Sequence, residues 1–342
     1  MATNSTLNPD PGGKGSPPHI EQFRAIEALN EFYAANGWAS DFVQVAPGTI
    51  RVEVGINEVG DIALGREKVS HRVVGSAKSY DGQFSVLLSL NGSEALVSGR
   101  RLDRQNLLLV APNTDMDIVM DDGTDVVTIG IPADMFGEHL VAVGDDDSLL
   151  ETQDIASLQV HNGHIEPLRR LTCDLFSGRS DGRSLDSTFV SRLAQAMVPE
   201  HAGTIKSDRY HRLSRHQIVE SARKYIHDHL AEPILIPDLC SYCGASLKTL
   251  ERMFKSSFGT TPYGYILAAR LTAVRRDLLN ADYSNFPIAE IAMWNGLTHM
   301  GRFARRYKNQ FGQLPSVDRE LASKKSWRNP KLFLAGNNVR NL

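Results

Sequence analysis

The chain has 342 residues, 42% of them hydrophobic and 23% charged, with a formal net charge of −3 at pH 7 and three cysteines. That length allows two separate cores. Cys173, Cys240 and Cys243 exclude a disulfide framework, and neither an apolar run of roughly 18 residues nor a signal-peptide segment is present, so a cytoplasmic location without membrane contact is expected. The small net charge conceals a division. From His201 onward there are 22 Lys and Arg against 11 Asp and Glu, a balance of +11; residues 1–200 hold 15 against 29, a balance of −14. Such asymmetry suggests a nucleic-acid-binding half joined to a half that does not bind nucleic acid.

Residues 1–18 are rich in Pro, Gly, Ser and Asn and are expected to be a disordered tail. Glu21 to Asn36 has helical spacing at Phe23, Ile26, Leu29 and Phe32, and Gly37 supplies a stop. From Phe42 to Ile131 the period becomes two. About eight short strands alternate with turn signals, which argues for a β-sandwich or small barrel. Asn91-Gly92 is the best single hairpin signal. After Pro132 the pattern is helical again at Met135–Val143, Pro167–Phe176 and Leu185–Met197. These helices are expected to pack beside the barrel or to pair two subunits. Residues 19–200 thus form one domain. The polar, basic stretch 201–214 reads as a linker, and Ser214 is placed to cap a helix through Ile218, Ala222, Ile226 and Leu230.

Ile236 to Phe258 then reads as a helix-turn-helix. Pro237 suits a first helical turn, Gly244 permits a tight turn, and Ser246 caps a second helix. Leu250, Met253, Phe254 and Ser257 face inward at helical spacing. Pro287 to Phe311 repeats the plan, with Ile291-Ala292, Gly296, and an inward face of Phe303, Tyr307 and Phe311. Tyr263 to Leu279 connects the copies. Each copy closes with Phe-Gly and a nearby proline: Phe258-Gly259 with Pro262, and Phe311-Gly312 with Pro315. The tail, 322–342, is basic and uninformative.

In these motifs, and in Tyr265-Ile266 with Arg270-Leu271 and Ala273, the chain resembles the AraC/XylS family of transcription regulators over Gln217 to Leu321. The N-terminal half more loosely resembles that family's cupin-like sensor domain, at Asp41-Phe42-Val43-Gln44, Pro47-Gly48, Arg101-Leu102, Leu107 to Pro112 and Ile131-Pro132. Details of the C-terminal part are similar to the branch that includes ethanolamine-utilisation regulators. The expected class is α+β multidomain: an N-terminal cupin-like β-barrel or sandwich with flanking helices, and an all-α domain, 215–321, with two helix-turn-helix motifs. The resemblance implies double-stranded DNA as partner, RNA polymerase and a second copy of the chain as further partners, and a small-molecule effector or other signal at the N-terminal domain; the alternative is a DNA-binding regulator without an effector, whose N-terminal half serves for dimerisation or protein contacts.

Matching the family pattern position by position places base-edge readers at Lys248, Glu251 and Arg252, with Lys255 nearer phosphate. Arginine can pair bidentately with guanine, and glutamate can accept from cytosine. The second helix departs from this chemistry. Its outward positions are Met300, Gly301, Ala304 and Arg305, of which Arg305 alone can make a strong base-edge hydrogen bond, while Met300 and Ala304 can touch thymine methyls. Arg302, Arg306 and Lys308 suit phosphate. Gly264 is unexpected so near the start of the connecting helix. Cys240 and Cys243 fall at small buried positions, which favours a packing role over a redox or metal pair. The strand region holds only His71, and His161 and His164 read as a turn, so no metal ligand set, cofactor or catalytic residue is expected, and the chain is not expected to be an enzyme.

Overall fold

The computed structural model describes residues 18–38, 40–143, 149–150, 152, 154–177, 186–197, 202–204 and 209–325. The Pro/Gly-rich start, part of the 201–214 stretch and most of the basic tail lie outside them. The strands are β1 (His19–Phe23), β2 (Ser40–Gln44), β3 (Val52–Val59), β4 (Ile62–Val69), β5 (Val73–Lys78), β6 (Gln83–Ser89), β7 (Ala95–Val97), β8 (Arg100–Leu102), β9 (Asn106–Val110), β10 (Asp115–Met120), β11 (Asp125–Pro132), β12 (Ile155–Val160) and β13 (Ala202–Thr204). They form two sheets, ordered β1-β3-β4-β11-β6-β9-β12-β13 and β2-β5-β10-β7-β8. The helices of this half are α1 (Ile26–Ala35), α2 (Ala133–Ala142), α3 (Asn162–Phe176) and α4 (Asp186–Met197).

Period-two patterning makes each strand a partition between two environments. On the larger sheet, Leu64, Val86, Leu88, Leu109, Val127 and Ile129 point outward and are buried beneath α2, α3 and α4. The helices after Pro132 therefore serve to cover a sheet. The opposite face looks across to the smaller sheet, where Val52, Val54, Leu87, Leu108, Phe42 and Met120 share a second core. The smaller sheet's outer face carries Val43, Val74 and Val119, and these pack against the C-terminal helices.

Two expectations from local pattern are corrected. The first turn of the expected helix at Glu21 is instead strand: Glu21 and Phe23 pair with Val54 and Val52, and the helix begins at Ile26. Pairing with β3 outweighs the helical spacing of Phe23. Asn91-Gly92 is a turn but closes no hairpin. The strand before it, β6, pairs with β9 and β11, whereas β7 pairs with β10 and β8. The turn moves the chain from one sheet to the other, held by Ser89 Oγ accepting from Gly92 N–H at 3.2 Å.

The C-terminal helices are α5 (Arg209–Asp228), α6 (Ile236–Tyr242), α7 (Leu247–Phe258), α8 (Pro262–Leu279), α9 (Ile288–Trp294), α10 (Met300–Phe311) and α11 (Pro315–Lys325). Ser214 lies inside α5, not at its start. One apolar core gathers Val219, Ala222, Ile226, Leu250, Phe254 and Tyr265; another gathers Leu271, Val274, Ile291, Phe303, Tyr307 and Phe311. Helix α8 contributes to both cores and so links the two helix-turn-helix units. Burying each large apolar side chain contributes about 1.5–3 kcal/mol.

Candidate nucleic-acid interface

Helix α7 starts where Ser246 Oγ accepts from the Thr249 backbone N–H at 3.2 Å and donates to Thr249 Oγ1 at 2.8 Å. Leu250, Met253, Phe254 and Phe258 are buried along its inner side. That leaves Lys248, Glu251, Arg252 and Lys255 exposed on the other. Lys255 Nζ reaches back to the Gly259 carbonyl at 3.2 Å, where a cation offsets the helix C-terminal dipole. In α10 the buried residues are Phe303, Tyr307 and Phe311. Gly301, Arg302, Ala304, Arg305 and Lys308 are exposed, whereas Met300 and Arg306 are half-buried. Met300 packs against the second core. Arg306 lines a groove of about 340 Å³ between the two helix-turn-helix units, with Tyr263, Arg270 and His299. Unlike α7, α10 has no side-chain cap at its start.

The turn of the second motif explains its glycine. Gly296 has φ +76°, and a Cβ there would stand 2.7 Å from the Leu230 carbonyl oxygen and 2.8 Å from Arg270 Nε. Arg270 itself donates to the Leu230 and Glu232 carbonyls at 3.0 and 2.5 Å, tying the loop after α5 to α8. Gly264 has an account too. Its N–H donates to the capping Thr261 Oγ1, and a Cβ would collide with the Thr260 hydroxyl.

Beneath α10 lies a buried polar network. Tyr307 O–H donates to Asp318 Oδ2 at 2.7 Å, Arg275 Nε donates to the same oxygen at 3.0 Å, and Gln313 donates to Oδ1. The Arg275 guanidinium also lies 4.6 Å from the Phe311 ring centroid, within cation–π range. Burial pushes the Tyr307 hydroxyl far up, and the Asp318 charge adds to the shift. A buried network of this kind holds α8, α10 and α11 in one arrangement only when its members are satisfied.

Both outward helices are also held from behind by the N-terminal domain. Gly48 N–H donates to the Gln310 carbonyl at 3.0 Å, and Gln310 Nε2 donates to the Gln44 carbonyl at 2.7 Å. Thr49 abuts Gly312 at the α10 C-terminus, and Arg72 abuts Gly259 at the α7 C-terminus. Around these, Asp41 pairs with His227 at 3.0 Å and Asp117 with Arg223 at 3.1 Å. The His227 hydrogen bond holds the Asp41 carboxyl below the usual range. Glu27, 2% exposed, lies 3.7 Å from Arg275, with no hydrogen-bond partner for either carboxylate oxygen among the described residues. Sequence reading gave no role to Glu27, Thr49, Arg72 and Gln310, and marked Gln44 as part of a sensor-domain motif without its contact to Gln310. The opposed charge of the two halves is a sequence signal for this contact as well as for DNA binding.

The remaining candidates have structural positions. Cys240 and Cys243 are half-buried against the first core of the C-terminal domain, and burial pushes the Cys243 thiol up. His71 sits against Gly48 with Ser70 Oγ 2.8 Å from Nδ1. His161 caps α3, accepting from Gly163 N–H at 3.3 Å.

Two exposed helix faces of this kind, each second in a helix-turn-helix and joined by one helix, define a double helix-turn-helix domain attached to a β-sandwich. Residues 239–320 match a helix-turn-helix domain family and residues 38–201 match an AraC-binding-like domain family. The chain thus has the domain pair of the AraC/XylS family. Among similar curated proteins, a probable thc operon regulatory protein of Rhodococcus erythropolis is 38% identical over 101 residues, covering 30% of each chain. The XylDLEGF operon transcriptional activator 2 of Pseudomonas putida is 35% identical over 97 residues, 28% of this chain and 62% of that one. The matched stretches therefore span about a third to under two thirds of these relatives. A crystal structure of a transcriptional regulator with an AraC-type DNA-binding domain, from Chromobacterium violaceum, is 28% identical, with a TM-score of 0.29 over 31% of this chain and 93% of that one.

Proposed function

We propose that the chain is a sequence-specific DNA-binding transcription regulator, controlled by a signal at its N-terminal domain. The observation that carries this is the pair of outward helix faces on α7 and α10, both with C-termini seated on the N-terminal domain. Successive major-groove segments lie about 34 Å apart along one face of DNA. Lys248, Glu251 and Arg252 read base edges from α7; Met300 and Arg305 do so from α10. Lys255, Arg302, Arg306 and Lys308 contact phosphate, which supplies much of the affinity without sequence choice. The half-buried positions of Met300 and Arg306 require small side-chain movements on DNA.

The domain boundary falls between β13 and α5, and the N-terminal domain acts through the contacts at Gln44, Thr49, Arg72 and Glu27. A signal alters DNA binding by favouring one arrangement of these contacts over another. The reading includes RNA polymerase as partner at a promoter and a second copy of the chain at a repeated site, both carried over from the resemblance, and a cytoplasmic location. Among the described residues no helix is long and apolar enough to cross a membrane. The chain acts by binding and not by catalysis. Genome-wide footprinting of the full chain tests this. Discrete protected sites near promoters are expected; occupancy that follows DNA content alone contradicts it.

A further inference from the structure

The space between the two sheets has a chemistry that DNA contact does not use. On β4, Leu64 faces the helices, so Ala63, Gly65 and Glu67 face the smaller sheet. Register agrees: Glu67 stands opposite Val54 and Val126, both in the inter-sheet core, while Gly65 stands opposite Ile56 and Thr128. Small residues hollow out this region. A Cβ on Gly65 would meet no atom within 4 Å, although its strand lies between two others, and Thr128 on the adjoining strand keeps accessible surface. Open space on the inner face of a sheet, beside half-buried Ala63, Glu67 and Thr128, is room that a packed core would fill, here called the chamber.

Aromatic rings bound the chamber. Tyr33 and Trp38 have centroids 5.6 Å apart, and Trp38 and Tyr80 6.4 Å apart. Polar groups point into it without partners. Gln83 Oε1 and the Tyr80 ring lie over Gly130, whose inner neighbour across β6 is Ser85. Ser85 is 1% exposed, and neither its Oγ nor Gln83 Oε1 has a hydrogen-bond partner among the described residues. Each such orphan is destabilising until something satisfies it. Glu67 accepts from the Tyr33 hydroxyl, and burial pushes its carboxyl up. The inner positions of β3, β4, β6 and β11 hold no lysine or arginine. A half-buried acid therefore stands beside aromatic faces, with no cation at these inner positions among the described residues.

We propose that this chamber is a ligand site for a small protonated amine, with its ammonium on Glu67 and its apolar body against Tyr33, Trp38 and Tyr80. An ammonium donates charge-assisted hydrogen bonds to a carboxylate and is attracted to aromatic faces. A carboxylate ligand would instead face Glu67 with like charge. Occupancy has two routes to the DNA-binding domain. Helix α1 carries Tyr33 at the chamber and Glu27 beside Arg275. Strand β2 turns Phe42 into the inter-sheet core and Asp41 and Val43 toward the C-terminal helices. This effect on DNA rests on the regulator reading; binding of the amine does not.

The test is calorimetric titration of the full chain with propylammonium and benzylammonium against butanoate and benzoate. At least one amine is expected to bind, and more tightly than its matched carboxylate. Glu67→Gln is expected to weaken amine binding by roughly ten- to a hundredfold, the worth of a hydrogen bond to a charged group. Gly65→Val, which projects into open space, is expected to block the amine while leaving the melting temperature near the parent's. The proposal is overturned if neither amine binds, if a carboxylate binds as tightly, or if both variants bind amine like the parent. Fluorescence anisotropy on a selected DNA site, run on the same samples, separates the two readings. Sequence-specific DNA binding alongside a failed titration refutes the chamber alone. Absence of any sequence-specific binding, with or without amine, refutes the regulator reading.

Discussion

At the residue scale, Arg252 is the clearest single candidate for a base reader under the proposed function. It is exposed on the face of α7 opposite the buried Leu250 and Phe254. Arg252→Ala is expected to weaken specific binding by about 1–3 kcal/mol and to relax one base position. Unchanged affinity and preference in a competition assay would remove it from that role. Cys240→Ala with Cys243→Ala is expected to cost a modest amount of stability, of order 1–2 kcal/mol for lost packing. DNA affinity should be equal in reducing and oxidising buffer for parent and variant, and a redox response confined to the parent would refute a packing role. These positions were legible in the sequence because a helix repeats every 3.6 residues and separates its two faces. The setting of Glu27 was not, since its neighbour Arg275 is 248 positions away and no local pattern reports it.

At the element scale, α7 and α10 were legible down to their C-terminal glycines, since apolar spacing and turn glycines agree in both, although α7 alone of the two has a side-chain cap at its start. What local pattern could not supply was pairing. Phe23 was drawn into β1 by Val52, and Asn91-Gly92 joins two sheets instead of two neighbouring strands. The seating of α10 was equally hidden, because it depends on Gln44 meeting Gln310. That seating predicts a specific defect. Gln44→Ala with Gln310→Ala should leave each half-site recognised while relaxing the spacing between them. The measurement is affinity for sites with one base pair inserted between the halves. The insertion should penalise the parent more than the double variant, and an equal penalty in both would show that α10 is not positioned from the N-terminal domain.

For the whole molecule, the domain contact should respond to pH. Burial is the main cause that pushes the Glu27 carboxyl up, to about 7 from an ordinary 4.5, although Arg275 pulls it down. Asp318 and Glu31 add to the rise, and Tyr307 stands in the same network. Because the folded value is raised, the docked chain binds the proton more tightly than the unfolded one. Stability is therefore unpenalised below about 4.5, falls as pH rises through the window, and levels off above about 7. The full penalty is roughly 3 kcal/mol at 1.4 kcal/mol per unit. Glu27→Gln should remove it, so the variant gains on the parent between pH 5 and pH 8 in urea unfolding. Parallel curves would show that Glu27 does not titrate in this range.

The central claim is that one chain reads DNA with two helices of unequal chemistry. Lys248, Glu251 and Arg252 offer charged donors and an acceptor, while Gly301 and Ala304 offer none and Met300 is half-buried. Arg302, Arg305 and Lys308 remain exposed, so the second helix keeps its electrostatic contribution. The most direct measurement is a randomised-site selection with the full chain at two salt concentrations. The account predicts a bipartite site one helical turn apart, about 34 Å, with a base-restricted half beneath α7 and a tolerant half beneath α10. Two equally restricted halves, or the stronger restriction beneath α10, would contradict it.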